Sequence, residues 1–183
     1  MNPAANLYLI GPMGAGKTSI GRRLADALHW PFVDLDLAIE ERSGASIALT
    51  FEIEGEAGFR RRESEMLAEL VSRRGIVLST GGGAVLSPYN RELLAANGFV
   101  VWLDTDIEAQ LVRLKHDRKR PLIGVDDRRG RLEQLALERN PLYAAIADLR
   151  VASTGQGSSS ALARHLGGLL ERAWQRQPQE VAS

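Results

Sequence analysis

Apolar positions along this 183-residue chain fall into two alternating kinds of segment. Leu7–Ile10, Phe32–Leu35, Ile76–Ser79 and Val100–Leu103 are short runs that are apolar almost throughout, and Leu149–Ala152 is a weaker fifth. A strand that alternates apolar and polar residues buries one face. An unbroken run buries both, as inside a parallel sheet. Between these runs lie stretches with helical spacing. In Lys17–Leu28 the residues Ile20, Leu24 and Leu28 recur every fourth position. Phe59, Met66, Leu67 and Leu70 form a looser stripe in Glu56–Arg73, and Leu162, Leu166, Leu169, Leu170 and Ala173 form another near the C-terminal end. The alternation predicts a three-layer α/β sandwich around a five-stranded parallel sheet with right-handed crossovers. One domain is expected over residues 1–174, because a chain of this length buries one core. The segment from Gln175, QRQPQEVAS, is polar and aperiodic and reads as a disordered tail.

Composition narrows the function classes only a little. Lys+Arg and Asp+Glu both total 23, so no net charge draws the chain to nucleic acid or anionic lipid, and any anion preference is local. No apolar run approaches the roughly 20 residues that span a bilayer. The chain has no cysteine, which removes disulfides and thiolate metal sites. MNPAANLYLIG lacks a basic region followed by a long apolar stretch, so no signal peptide is read and a cytoplasmic protein is expected.

The first strand runs straight into GPMGAGKTS, residues 11–19, which fits Gly-x4-Gly-Lys-Ser/Thr on Gly11, Gly16, Lys17 and Thr18. Such glycines let the backbone wrap a diphosphate with successive N–H groups pointing inward, while the following helix aims its positive end at the same place. Lys17 is placed to reach the β- and γ-phosphates and the Thr18 hydroxyl to ligate Mg²⁺. A nucleoside triphosphate is the ligand this motif implies. No Asn-Lys-x-Asp run marks guanine and no expected strand ends in Asp-Glu, which sets aside GTPase switches and motor ATPases.

Four other polar clusters need an account. FVDLD puts Asp34 and Asp36 two residues apart at the end of the second strand, on one side of the chain. They face a ligand crevice or cap the next helix; the spacing allows both. In EGEAGFRRRESE, Arg60, Arg61 and Arg62 cover most of a helix's circumference, so at most two of them face one site. Arg61 and Arg62 are expected in solvent or in ordinary ion pairs, and Glu63 is spaced to orient Arg60. KHDRKRPLIGVDDRR, residues 115–129, is the longest aperiodic stretch and suits a lid. In ERNPLY, Arg139 follows a helical run and precedes a turn bounded by proline. The run IVLSTGGGAV, residues 76–85, adds a puzzle: three glycines directly after a buried strand sacrifice backbone entropy and packing. Something must approach that backbone too closely for a Cβ.

These segments, with the Arg120–Pro121 pair in the lid, occur in an order and spacing that resembles the shikimate kinases over roughly residues 6–170. The P-loop is shared widely; Phe59-Arg60, the triple glycine and the Arg139 run are far more specific. The resemblance implies a P-loop fold like that of the nucleoside-monophosphate kinases, with a mobile lid over about 115–128. It implies ATP-dependent phosphorylation of the shikimate 3-hydroxyl to 3-phosphoshikimate, with Mg²⁺, by a cytoplasmic monomer. Gly14, Ala15, Gly16, Lys17, Thr18 and Ser19 would then hold the ATP phosphates, and Arg120 would join Lys17 in neutralising the transferred group. Arg113 would stack on adenine. The proline that often covers adenine's other face in the family is missing from STGQGSS, where Gln156 is the candidate polar contact. Thr18 and Asp34 would hold the metal, Asp34 through water. On the acceptor side Arg60 and Arg139 would fork the carboxylate, Asp36 would hold ring hydroxyls, and Gly82 would offer its N–H.

Two rivals stand beside this reading: another small-acid kinase such as a gluconate kinase, and a catalytically silent nucleotide-binding regulator. His29, His116 and His165 have no metal spacing and carry no role. Trp30 and Trp102 are expected in packing, and Trp174 at a frayed helix end.

Overall fold

The computed structural model describes residues 5–115, 127–153 and 158–174. Five strands form one parallel sheet: β1 (Leu7–Ile10), β2 (Phe32–Asp34), β3 (Val77–Ser79), β4 (Phe99–Asp104) and β5 (Leu149–Ala152), in the order β2-β3-β1-β4-β5. Successive side chains on a strand point to opposite faces, and β1 shows the result. Leu7 and Leu9 join one core with Ile20 and Leu24 of α1 (Lys17–Leu28) and Leu166 and Leu170 of α7 (Ser159–Ala173). Tyr8 and Ile10 join the opposite core, with Ile39 of α2 (Leu35–Ser43), Leu67 and Leu70 of α3 (Ile47–Val71), Leu94 of α4 (Pro88–Asn97) and Tyr143 of α6 (Arg128–Ile146). The expected three-layer sandwich is therefore observed. Among the described residues no helix is long and apolar enough to cross a membrane.

Element boundaries differ from the expected ones for identifiable reasons. Leu35 belongs to α2, not β2, because the Asp34 side chain accepts from the Asp36 and Leu37 N–H groups and ends the strand as a helix cap. The helix expected from Glu56 is preceded by another that the pattern did not reveal, since α3 begins at Ile47 and bends at Gly55, whose φ of 69° is non-helical. Arg139 lies inside α6 rather than before a turn: the helix runs through Pro141 to Ile146. A proline there removes one bond to the carbonyl four residues back, and both Pro141 and Leu137 are exposed, on the water side of the helix. α2, α4 and the short α5 (Ile107–Arg113) bury too few residues each to show a stripe.

Trp174 is not frayed. It is only 4% exposed, with its ring edge-on to Trp30 at 5.4 Å and tilted against Phe99 at 5.9 Å. The α7 stripe therefore extends one residue past the helix, closing the lower end of the core. Truncating a buried tryptophan to alanine costs about 3–5 kcal/mol, so Trp174→Ala should lose about that much unfolding free energy in a urea titration. A loss below ~1 kcal/mol, the range of surface changes, would return Trp174 to a frayed end.

Candidate active site

The phosphate-binding loop and the glycine loop are neighbours because their strands are. β1 pairs with β3 in parallel register, Leu9 opposite Ser79, and Thr80 then fastens the junction by donating both its N–H and its hydroxyl to the Leu9 carbonyl, each at 3.1 Å. After β1 the chain crosses to β2 on one side of the sheet, and after β3 it crosses to β4 on the other. Strand ends at such a reversal form the ligand crevice of an open α/β sheet.

On the β1 side, Gly16 caps α1 in the left-handed conformation (φ 87°) with no side-chain cap, which leaves the first N–H groups of α1 for an anion. Lys17, 8% exposed, folds back to donate to the Gly11 and Pro12 carbonyls, both at 2.8 Å. Thr18 Oγ1 donates to Asp34 Oδ2 at 2.9 Å, while Asp34 Oδ1 caps α2. The two readings of Asp34 are thus compatible: one oxygen caps a helix and the other faces the phosphate loop. Two hard oxygens side by side, next to a phosphate cradle, suit Mg²⁺, which prefers one or two protein oxygens completed by phosphate and water.

Two cavities meet at this point. One, of about 180 Å³, is lined by Gly14, Gly16, Lys17, Thr18 and Ser19. The other, of about 350 Å³, is lined by Phe59, Arg60, Glu63, Gly83 and Arg139 among others. Asp34, Asp36, Gly81 and Gly82 belong to both. The second cavity holds two guanidiniums on separate helices. Burial opposes the Arg60 charge, but Glu63 and Glu56 outweigh it and hold the group above its ordinary value; Arg60 donates to them at 2.8 and 3.2 Å. Arg139, 4% exposed, is pulled below its ordinary value by burial and by the like charge of Arg60. Burial also pushes the Glu63 carboxyl up against the pull of Arg60, with Asp36 adding to the push. A carboxylate entering between the two arginines would relieve their repulsion.

The glycines are spaced by this crowding. None of the three has a positive φ, so backbone dihedrals do not demand them. A Cβ on Gly83 would lie 2.3 Å from an Arg60 nitrogen, and one on Gly81 would lie 2.9 Å from Asp36 Oδ1 and 3.1 Å from Glu63 Oε1. A Cβ on Gly82 would stand 3.4 Å from the Met13 nitrogen, an ordinary contact. The protein's own polar side chains therefore fill the space above Gly81 and Gly83, and only Gly82 has room left over.

The model of the shikimate kinase family matches residues 13–169. A shikimate kinase of Vibrio cholerae is 52% identical over 166 residues, covering 91% of this chain and 95% of that protein. The chain belongs to the shikimate kinase family. A second relative, the shikimate kinase of Stenotrophomonas maltophilia, is 52% identical over 177 residues, covering 97% of this chain and 98% of its own. The solved structure of the Acinetobacter baumannii shikimate kinase in complex with shikimate superposes with a TM-score of 0.89 at 46% identity, covering 92% of this chain and 94% of that one.

The crevice brings together Gly14, Gly16, Lys17, Thr18, Ser19, Asp34, Asp36, Arg60, Gly82 and Arg139. Arg113 lies at the other end of the phosphate loop, donating to the Gly14 carbonyl at 2.7 Å and to Ser153 Oγ at 3.2 Å. Ala15 is buried behind the loop, its carbonyl accepting from the Ser153 hydroxyl at 2.8 Å. Arg120, Gln156 and residues 116–126 of the expected lid lie outside the described residues, as does the tail from Gln175. Arg62 pairs with Glu54 at 2.6 Å and Arg61 is exposed, both away from the crevice.

Sequence reasoning missed Ser153 and Tyr143. Nothing in the sequence singles out a serine at a strand end. Tyr143, four residues after Arg139, would have shown itself as a neighbour on one helix face had Pro141 not suggested a turn.

Alanine fits at Gly82 without strain in the ligand-free fold. Gly82→Ala should therefore melt like the wild type, while the added methyl takes acceptor space, lowering acceptor kcat/KM by about one to two decades with ATP affinity little changed. An early-melting Gly82→Ala with normal acceptor kinetics would mean that the backbone, not the cavity, requires the glycine.

Proposed function

We propose that the chain transfers the γ-phosphoryl group of ATP to the 3-hydroxyl of shikimate, releasing ADP and 3-phosphoshikimate, as a cytoplasmic monomer working with Mg²⁺. The observation that carries this is the shared wall: a phosphate cradle and a twin-guanidinium cavity meet at Asp34, Asp36, Gly81 and Gly82. A donor phosphate and a small hydroxy acid bound in these two spaces have their reacting atoms at the common boundary. The need for ATP supports a cytoplasmic location.

The roles follow from chemistry. Gly14, Ala15, Gly16, Thr18 and Ser19 offer the loop and first-turn N–H groups to the phosphates. Lys17 exchanges the Gly11 and Pro12 carbonyls for the β- and γ-phosphate oxygens, neutralising charge as the bond to the leaving ADP lengthens. Arg120 adds charge from the lid, and Arg113 and Gln156 hold the adenine end. Thr18 and Asp34 would hold Mg²⁺, which when bound supplies charge neutralisation at the phosphates. Arg60 and Arg139 fork the acceptor carboxylate, Asp36 accepts from ring hydroxyls and Gly82 donates its N–H. Phosphoryl transfer has a loose transition state, so alignment and charge matter more than a strong base. This suits Asp34, whose oxygens are engaged by Thr18 and the α2 cap.

ADP release measured from MgATP with shikimate, with gluconate and without acceptor tests the reading. Turnover should require shikimate. Acceptor-independent release, preference for gluconate, or no turnover with either acid would overturn the reading. Lys17→Ala should abolish transfer while the melting curve stays close to wild type. Near-normal kcat in that variant would remove the phosphate loop from the chemistry.

Arg139→Ala should raise the shikimate KM about 10- to 100-fold, the worth of a charge-assisted bidentate pair, and leave the ATP KM nearly unchanged. Equal rises would move Arg139 to the nucleotide side.

A further inference from the structure

The side chain that the mechanism leaves unused is Tyr143. It is buried to 1% exposure on α6, one turn beyond Arg139, and its ring packs against Trp102 of β4 at 5.8 Å. Its hydroxyl donates to the Gly82 carbonyl at 2.5 Å, and the Arg139 guanidinium lies beside the same glycine, 3.6 Å from where a Gly82 Cβ would stand. It does not line the cavity assigned to the acceptor. Burial pushes the phenol well above its ordinary pKa, so the hydroxyl keeps its proton and remains a donor across any working pH.

The neighbouring carbonyls show why this bond matters. The Gly81 carbonyl accepts from Ala84 N–H at 3.2 Å and the Gly83 carbonyl from Leu86 N–H at 3.1 Å, so the turn at Ala84–Leu86 holds the peptides on either side. The carbonyl between them is held by the buried Tyr143 of α6. A glycine lacks the Cβ that biases neighbouring peptide planes. Because the peptide is planar and trans, fixing the Gly82 oxygen also fixes the Gly83 N–H on the opposite edge.

We propose that Tyr143 is a positioning residue: its hydroxyl holds the Gly82 peptide against the Arg139 guanidinium one turn earlier on α6, so that loop and arginine act as a single acceptor-recognising unit, without Tyr143 touching the acceptor. This rests on the shikimate reading above. The coupling predicts an effect confined to one substrate, because the phosphate loop on the far side of Gly82 is held by β1 and α1.

Tyr143→Phe removes one oxygen and keeps the ring against Trp102. The shikimate KM should rise about tenfold, as expected for a lost buried hydrogen bond, while the ATP KM stays within about twofold. In a double-mutant cycle with Arg139→Ala the two effects should be clearly less than additive. In the ligand-free enzyme, amide exchange of a peptide spanning residues 80–86 should quicken in Tyr143→Phe. An unchanged shikimate KM, equal rises for both substrates or strict additivity overturns the proposal. If the wild type turns over no shikimate, the functional reading fails instead. The exchange rates then decide the clamp by themselves, unaltered exchange overturning it.

Discussion

The parallel pairing of β1 with β3 is the constraint on which the rest of the crevice depends. Neighbouring strands lie about 4.8 Å apart whatever their side chains, so the loops that leave them are held side by side by the ladder. Thr80 secures the last rung with two bonds to one Leu9 oxygen. The distance from the phosphate cradle to the acceptor cavity is therefore a property of the sheet, and the side chains around it need only be aimed. α1, opening at Gly16, aims the N–H groups; α3 aims Arg60 and Glu63; α6 aims Arg139.

The charges in the acceptor cavity divide their work unequally. Arg60 arrives already held by Glu63 and Glu56 on its own helix, so its geometry is set before any ligand enters. Arg139 approaches from the opposite helix, and both burial and Arg60 disfavour its charge. An anion in the cavity thus gains from both arginines but relieves chiefly Arg139. A cavity of this kind favours a small acid over a neutral polyol, and binding energy comes partly from strain that the free enzyme already carries.

Much of this was legible in the sequence, and the parts that were not share a cause. β1 and α1 fall at the expected residues because each is a strong pattern bounded by glycine or by a change of period, and the weaker run Leu149–Ala152 is β5 as expected. Motif chemistry and strand ends pointed the phosphate loop, Asp34 and Asp36 toward one crevice, whereas Arg60 and Arg139 were brought there only by the family resemblance. The failures are cases where tertiary packing overrode a local signal. Pro141 reads as a helix breaker, yet its lost bond falls on the exposed side of α6. Trp174 follows the last stripe residue and precedes a polar tail, yet Trp30 and Phe99 supply it with a buried seat. No spacing rule announces either, since each depends on a partner far away in sequence. Tyr143 was hidden by the Pro141 reading.

The triple glycine shows how one sequence feature can have three local reasons. Positive φ would have been one explanation for all three, and it is absent. Gly83 makes room for the Arg60 guanidinium and Gly81 for the carboxylates of Asp36 and Glu63. Gly82 has no neighbour that close: a Cβ there would meet Met13, Arg139 and Gly11 only at ordinary contact distances of 3.4–3.6 Å, and Gly82 lines both cavities. Removing three Cβ atoms in succession has a cost beyond entropy, because the loop loses the steric bias that would keep its peptide planes from turning. In this fold that bias is replaced by hydrogen bonds: the turn after the loop holds the outer two carbonyls, and a phenol from α6 holds the middle one. The glycines and Tyr143 are therefore parts of one solution, in which bare backbone admits crowded charge and a distant hydroxyl restores the order that the missing side chains would have given.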